Sequence, residues 1–291
     1  MKVAMIAPNA YLTKYSILGT CDMMLAHEWV KNEEYLSYFK KQQEKGHFVL
    51  MDNGAFEWDR VIWQELVDLT DKVRPSCVIM PDNLGEYEST RKDTMDFYQE
   101  SAGKILKMWV DLMAVPQWET FEKFLDNYKL FTSLKRVKYI WISYTIFFKD
   151  IPWYEDKLEN NKTEVEKKML RRFYTIKYLV DNNIIDRSKR HHLLGLANPL
   201  EYKMYQDIED NSFIYSGDSA LAYIMWKKER LIDLELGVVG EREKSLEDFN
   251  EKIDFNVTQD ETIKRNIDII KHFAKFVNEK KEWEWEQLKL F

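Results

Sequence analysis

Short apolar runs alternate along the chain with longer stretches of helical period. The runs are "VAMIA" (3–7), "FVLMD" (48–52), "CVIMP" (77–81), "ILKMWVDL" (105–112), "VKYIWIS" (137–143), "HLLGL" (192–196) and "SFIYSG" (212–217). They are continuous instead of alternating, which marks strands covered by helices on both faces. The segments between them read as helices: "NEEYLSYFKKQQEKG", stopped by Gly46, then "VIWQELVDLTDKV", "STRKDTMDFYQES" and "WETFEKFLDNYKLF". "TEVEKKMLRRFYTIKYLVDNN", "PLEYKMYQDI" and "SALAYIMWKKE" follow, with a last long helix over 260–282 in a C-terminal helical region reaching about 289.

Seven or eight such units point to an α/β fold, a (β/α)8 TIM-like barrel, in preference to a doubly wound sheet. No G-x-G-x-x-G follows the first strand, which weakens a dinucleotide-binding alternative. The whole chain, 1–291, reads as one barrel domain, with an acidic, poorly periodic stretch over about 228–260 that replaces or distorts the final unit. One segment is ambiguous. "FVLMDNGAF" (48–56) could be a hairpin arm, because Asn-Gly suits a two-residue turn. The next segment has helical period, so the barrel reading puts Asp52 at the carboxyl end of a strand.

Composition narrows the classes. With 45% hydrophobic and 14% aromatic residues the chain can build a large core. No apolar stretch approaches the ~20 residues a membrane span needs, and the N-terminus lacks the form of a signal peptide. A cytoplasmic, membrane-free protein is expected. Cys21 and Cys77 are too few for a four-thiolate zinc site and give no disulfide framework, so both read as reduced. The net charge of −7 argues against a surface that grips nucleic acid everywhere, while allowing a local basic patch. The runs at 135–138, 167–172, 187–192 and 227–230 each read as a solvated helix face or turn.

Barrel enzymes carry their chemistry at the carboxyl ends of strands. Here those ends offer Asp52, Asp82, Gln117 after "VDLMAVPQ", Gly195-Leu196-Ala197 and Asp218. A single strand-end Asp is equally a helix N-cap. Three of them at one mouth repel one another, a cost that function explains better than packing. The chemistry that fits is substitution at a sugar anomeric carbon, with one carboxylate as nucleophile and another handling protons. Asp, Asp and Gln also match the donor and acceptor edge of a purine-like base. "HEWVK" (27–31) lacks the second His of a zinc-protease helix, and His191-His192, placed before a strand, read as structural or phosphate-facing.

"MDNGAF", "VIMPDNLG", "AVPQW", "LLGLANP" and "SGDSA", in this order, resemble the tRNA-guanine transglycosylases over roughly residues 48–225. The likeness is greatest to the short relatives of phages and DNA 7-deazaguanine-modification systems. The resemblance implies Asp218 as nucleophile and Asp52 as general acid/base. It implies Asp82 and Gln117 as the base-recognition pair, with Gly195 and Leu196 as backbone against the base and Phe56 as a stacking ring, joined by Trp118 or Tyr144. It implies no cofactor and no metal, since the zinc subdomain of the tRNA enzymes has no counterpart, and it favours DNA over tRNA. A purine-like base is the expected small partner, with a homodimer or other modification proteins as further candidates. Asn53, Ala55 and Trp118 depart from the family pattern of Ser, Gly and Gly. A glycosylase or nucleosidase releasing the base to water, and a non-catalytic nucleic-acid binder, stay open as alternatives.

Overall fold

The computed structural model describes residues 1–29, 32–55, 61–146, 148, 162–227, 230–238 and 256–277. Eight strands build its centre: β1 (Lys2–Met5), β2 (Asp22–Leu25), β3 (Val49–Asp52), β4 (Cys77–Ile79), β5 (Asp111–Ala114), β6 (Val137–Ser143), β7 (Arg190–Leu194) and β8 (Ile214–Ser219). All are parallel, in the order β1-β8-β7-β6-β5-β4-β3-β2. The two end strands meet through an Ala4–Cys21 bridge, and Thr20 N–H donates to the Val3 carbonyl at 2.8 Å, so the barrel is nearly closed. Around it lie α1 (Ala26–Trp29), α2 (Glu33–Glu44), α3 (Trp63–Val73), α4 (Tyr87–Lys107), α5 (Phe121–Ser133), α6 (Glu164–Asp181), α7 (Leu200–Met204), α8 (Leu221–Lys227) and α9 (Val257–Phe276). The fold is a (β/α)8 TIM-like barrel. Among the described residues, no helix is long and apolar enough to cross a membrane.

Strand alternation sorts the core into two layers. Ala4, Met23, Leu50, Cys77, Ile79, Met113, Tyr139 and Trp141 fill the barrel interior, while Val49, Met51, Val78, Leu112, Ile140 and Leu193 face the helices. The amino-terminal end of the barrel is plugged by the rings of Phe48, Tyr139 and Tyr215, with Lys2 over Phe48 at 4.9 Å and the Arg190 guanidinium over Tyr215 at 4.4 Å. Any ligand must therefore enter at the opposite end, where the strands finish.

Several boundaries differ from the sequence expectation. The run 105–112 is not a strand: α4 continues to Lys107, because Phe97, Ser101, Ala102 and Ile105 bury one helical face. Trp109, in the left-handed region at φ 63° and 93% exposed, ends that helix, and the strand begins at Asp111. The strand Asp22–Leu25 was not expected. Its first residue is an acid, yet Asp22 is buried, with Tyr38 Oη at 3.3 Å and His47 Nδ1 at 3.0 Å. His191 and His192 lie inside β7 instead of preceding it. The hairpin reading of "DNGAF" fails: β3 pairs in parallel with β2 and β4, Gly54, at φ 80°, lets the chain turn away after β3, and the next regular element among the described residues is α3. In the acidic stretch, residues 228–229 and 239–255 lie outside the described residues, as does the chain beyond 277.

The basic runs also resolve differently. In 187–192, Arg187, Ser188 and Arg190 are exposed as expected of a solvated turn, while Lys189 is buried and donates to the carbonyls of Leu134 and Val137, and both histidines are buried. In 167–172, Arg172 is fully buried in an ion pair with Glu201.

Candidate active site

The carboxyl ends of β3, β4 and β5 carry one hydrogen-bonded group. β3 pairs Asp52 with Leu25 of β2, an interior position, so the Asp52 side chain belongs to the barrel mouth. The next residue, Asn53, is fully buried and makes the lateral link. Its Nδ2 donates to Asp82 Oδ1 at 2.7 Å and to the Met80 carbonyl at 2.8 Å, while its Oδ1 accepts from Ala55 N–H at 2.8 Å. Gln117 approaches Asp82 from β5: Nε2 donates to Oδ2 at 2.6 Å, and Oε1 accepts from Gly85 N–H at 3.0 Å. These partners fix the orientation of both amides. Each oxygen of Asp82 thus accepts from one amide donor.

The loop that carries Asp82 is pinned by the start of α4. Thr90 Oγ1 accepts from Asn83 N–H and donates to the Asn83 carbonyl, both at 2.9 Å, and Thr94 Oγ1 donates to the Pro81 carbonyl at 2.8 Å. Asp82 is therefore held in place by its own loop and helix.

Across the mouth, Asp218 stands near the end of β8, and a bulge decides where it points. The β7–β8 register pairs His191 with Ile214 but His192 with Ser216, so Tyr215 is an extra residue. A bulge of this kind shifts the alternation of the strand beyond it. Tyr215 already faces the interior, and beyond it Asp218 pairs with the interior residue Ala4. The bulge therefore turns Ser216 and Asp218 inward. Asp218 Oδ1 accepts from Gly195 N–H at 2.9 Å and lies 2.9 Å from His192 Nε2. The other ring nitrogen of His192, Nδ1, lies 2.8 Å from Ser216 Oγ. Asp218 Oδ2 has no hydrogen bond among the described residues, so one oxygen is fixed and the other is open to chemistry.

Gly195 closes the end of β7. Its φ is 64°, and a Cβ placed there would sit 2.5 Å from the Tyr144 ring, so only glycine lets that ring approach the turn. Its carbonyl accepts from Arg172 Nη2 at 2.8 Å, and Arg172 also reaches the Leu194 and Ile142 carbonyls. Glu201 binds the guanidinium twice, at 2.6 and 2.8 Å, and accepts from Tyr205 Oη at 2.6 Å. Burial opposes the Arg172 charge, and the Glu201 carboxylate more than reverses that effect. The pair ties the ends of β6 and β7 to α6 and α7.

Asp52, Asp82, Gln117, Gly195 and Asp218 thus all stand at the carboxyl ends of barrel strands. Asp82 and Gln117 are in direct contact, and Gly195 and Asp218 are in direct contact. Gly195 spends its N–H on Asp218, and the Leu196 side chain packs into the outer core, which leaves that residue only its backbone for a ligand. Trp118 is likewise a core side chain. Phe56 lies outside the described residues.

Sequence reasoning took His192 as structural or phosphate-facing and passed over Ser216, because a polar side chain inside a strand carries no positional mark until the bulge is known. It noticed Asn53 only as a departure from a pattern. Among the described residues, no group of three His, Cys, Asp or Glu side chains is arranged to hold a metal ion. No protein-family model matches the chain, and no curated protein sequence matches it.

Proposed function

We propose that this protein is a base-exchanging glycosyltransferase that replaces a base in nucleic acid, with DNA as the polymer, by a 7-deazaguanine-like base. The observation that carries the reading is the pairing of two prepared groups at one barrel mouth. One is a carboxylate with a fixed and an open oxygen, Asp218. The other is an amide-braced carboxylate, Asp82 with Gln117 and Asn53, an acceptor whose chemistry suits the N–H edge of a purine-like base.

In the first half-reaction Asp218 Oδ2 attacks C1′. The glycosidic C–N bond breaks, its electron pair leaves with the base, and Asp52 supplies the proton. In the second half, Asp52 takes a proton from the incoming base. The base nitrogen attacks C1′, and the Asp218 carboxylate leaves with the electron pair of the ester bond. The target base must leave its stack to reach the barrel, so a flipped or single-stranded site is expected. Cys21 and Cys77 sit in the barrel interior, 1% and 0% exposed, and offer no thiol cluster for a tRNA-binding zinc module.

The test is incubation with guanine-containing DNA, or in parallel tRNA, and a labelled 7-deazaguanine. Incorporation into DNA that is lost in Asp218→Ala supports the reading, and full incorporation by that variant overturns it. Base release without an incoming base assigns water as acceptor.

A further inference from the structure

Behind Asp218 the barrel interior holds a polar chain whose other two members, His192 and Ser216, the exchange reaction does not call on directly. It runs from Ser216 Oγ to His192 Nδ1 at 2.8 Å, and from His192 Nε2 to Asp218 Oδ1 at 2.9 Å. His192 and Ser216 are fully buried and Asp218 is 2% exposed. The imidazole also meets the edge of Trp141, with ring centroids 5.2 Å apart and planes at 89°. A buried polar chain of this kind is costly to a core unless it specifies something.

We propose that His192, set by Ser216, is a positioning residue that aims Asp218 in the reaction, an inference that rests on Asp218 being the nucleophile. An aspartate carboxylate turns broadly about its last side-chain bond. A single donor leaves that rotation partly open. Here two donors from different directions, Gly195 N–H and His192 Nε2–H, converge on Oδ1, each at 2.9 Å. Together they fix the plane of the group and leave Oδ2 as the attacking oxygen.

The chain also sets the ring's tautomer. The carboxylate accepts only, so Nε2 carries the hydrogen, and in the neutral ring Nδ1 accepts from the Ser216 hydroxyl. The same two N–H groups receive the carboxylate when it leaves in the second half-reaction, so both steps use one preset geometry. The β8 bulge makes this possible, because it brings Ser216 opposite His192 and turns Asp218 inward two residues later.

The experiment compares steady-state base exchange by wild type, His192→Leu, His192→Gln and Ser216→Ala, with thermal melting of each. His192→Leu is expected to lower kcat roughly 10- to 100-fold while KM changes less than about 2-fold, the pattern of a misplaced reacting group. His192→Gln, which keeps an N–H donor, is expected to recover part of that loss. Ser216→Ala touches neither Asp218 nor substrate, and a kcat loss of a few-fold at unchanged KM is expected from its effect on the ring. Folded His192→Leu or Ser216→Ala protein with wild-type kcat overturns the proposal, as does a loss that merely follows the melting temperature. Exchange by Asp218→Ala, or none by wild type, overturns the nucleophile reading and this inference with it. The two failures are thereby distinguishable.

Discussion

Asn53 Nδ2 lies 2.7 Å from Asp82 Oδ1, so a residue with no exposed surface sets the orientation of the acid proposed to read the base. The same amide holds the Met80 carbonyl at the end of β4, which makes it a clamp between neighbouring strands.

Asn53→Ala removes a donor from Asp82 and from Met80 together. Leaving these buried acceptors with one partner fewer is expected to lower stability by about 1–3 kcal/mol. KM for the incoming base is expected to rise about tenfold, with a smaller change in kcat, because orientation and not chemistry is lost. Denaturant unfolding and base-concentration series measure the two effects separately.

Gly195→Ala introduces a methyl 2.5 Å from the Tyr144 ring at a backbone φ of 64°. The ring or the turn must move, and Asp218 loses the fixed position of its Gly195 donor. A stability loss of at least about 1 kcal/mol is expected, with a fall in kcat larger than for any alanine placed on an exposed loop. Melting curves beside single-turnover rates test this.

Arg172→Met leaves Glu201 buried without its cation and frees three carbonyls at the ends of β6 and β7. A loss of roughly 3–5 kcal/mol is expected for breaking such a pair from one side. The double substitution Arg172→Met with Glu201→Leu is expected to recover a large part of it. A double-mutant cycle in chemical denaturation gives the coupling.

His191 points away from the barrel interior, against Tyr128 Oη at 2.9 Å and the edge of Phe213. Burial holds its ring neutral, with a pKa lowered from 6.5 to about 4. Between these values the unfolded chain binds more protons than the folded one, so this residue makes stability fall as pH drops from above 6.5 towards 4. The full contribution is of order 3 kcal/mol. His191→Asn is expected to flatten that part of the stability–pH curve relative to wild type, read by urea unfolding at a series of pH values.

How far the sequence revealed this follows from where its signals lie. Buried parallel strands made continuous apolar runs, so the barrel and its rim acids Asp52, Asp82 and Asp218 were legible. The strand Asp22–Leu25 was not, because its inward pair Met23 and Leu25 is too short a run beside an acid. Ile105 reads as strand when it closes the buried face of α4. The site's internal wiring was hidden for a different reason. Which way Ser216 points depends on one extra residue in β8, and Asn53 meets Asp82 only across two strands. Neither relation leaves a periodic trace in the chain.

The most direct measurement is a denaturing gel of wild type and Asp218→Asn after incubation with single-stranded DNA bearing radiolabelled phosphate and a saturating 7-deazaguanine. A labelled protein–DNA species in wild type that is absent from Asp218→Asn, and that disappears as the new base is incorporated, is the expected result. Equal incorporation by Asp218→Asn, or an adduct that maps to another residue, contradicts the central role given to Asp218.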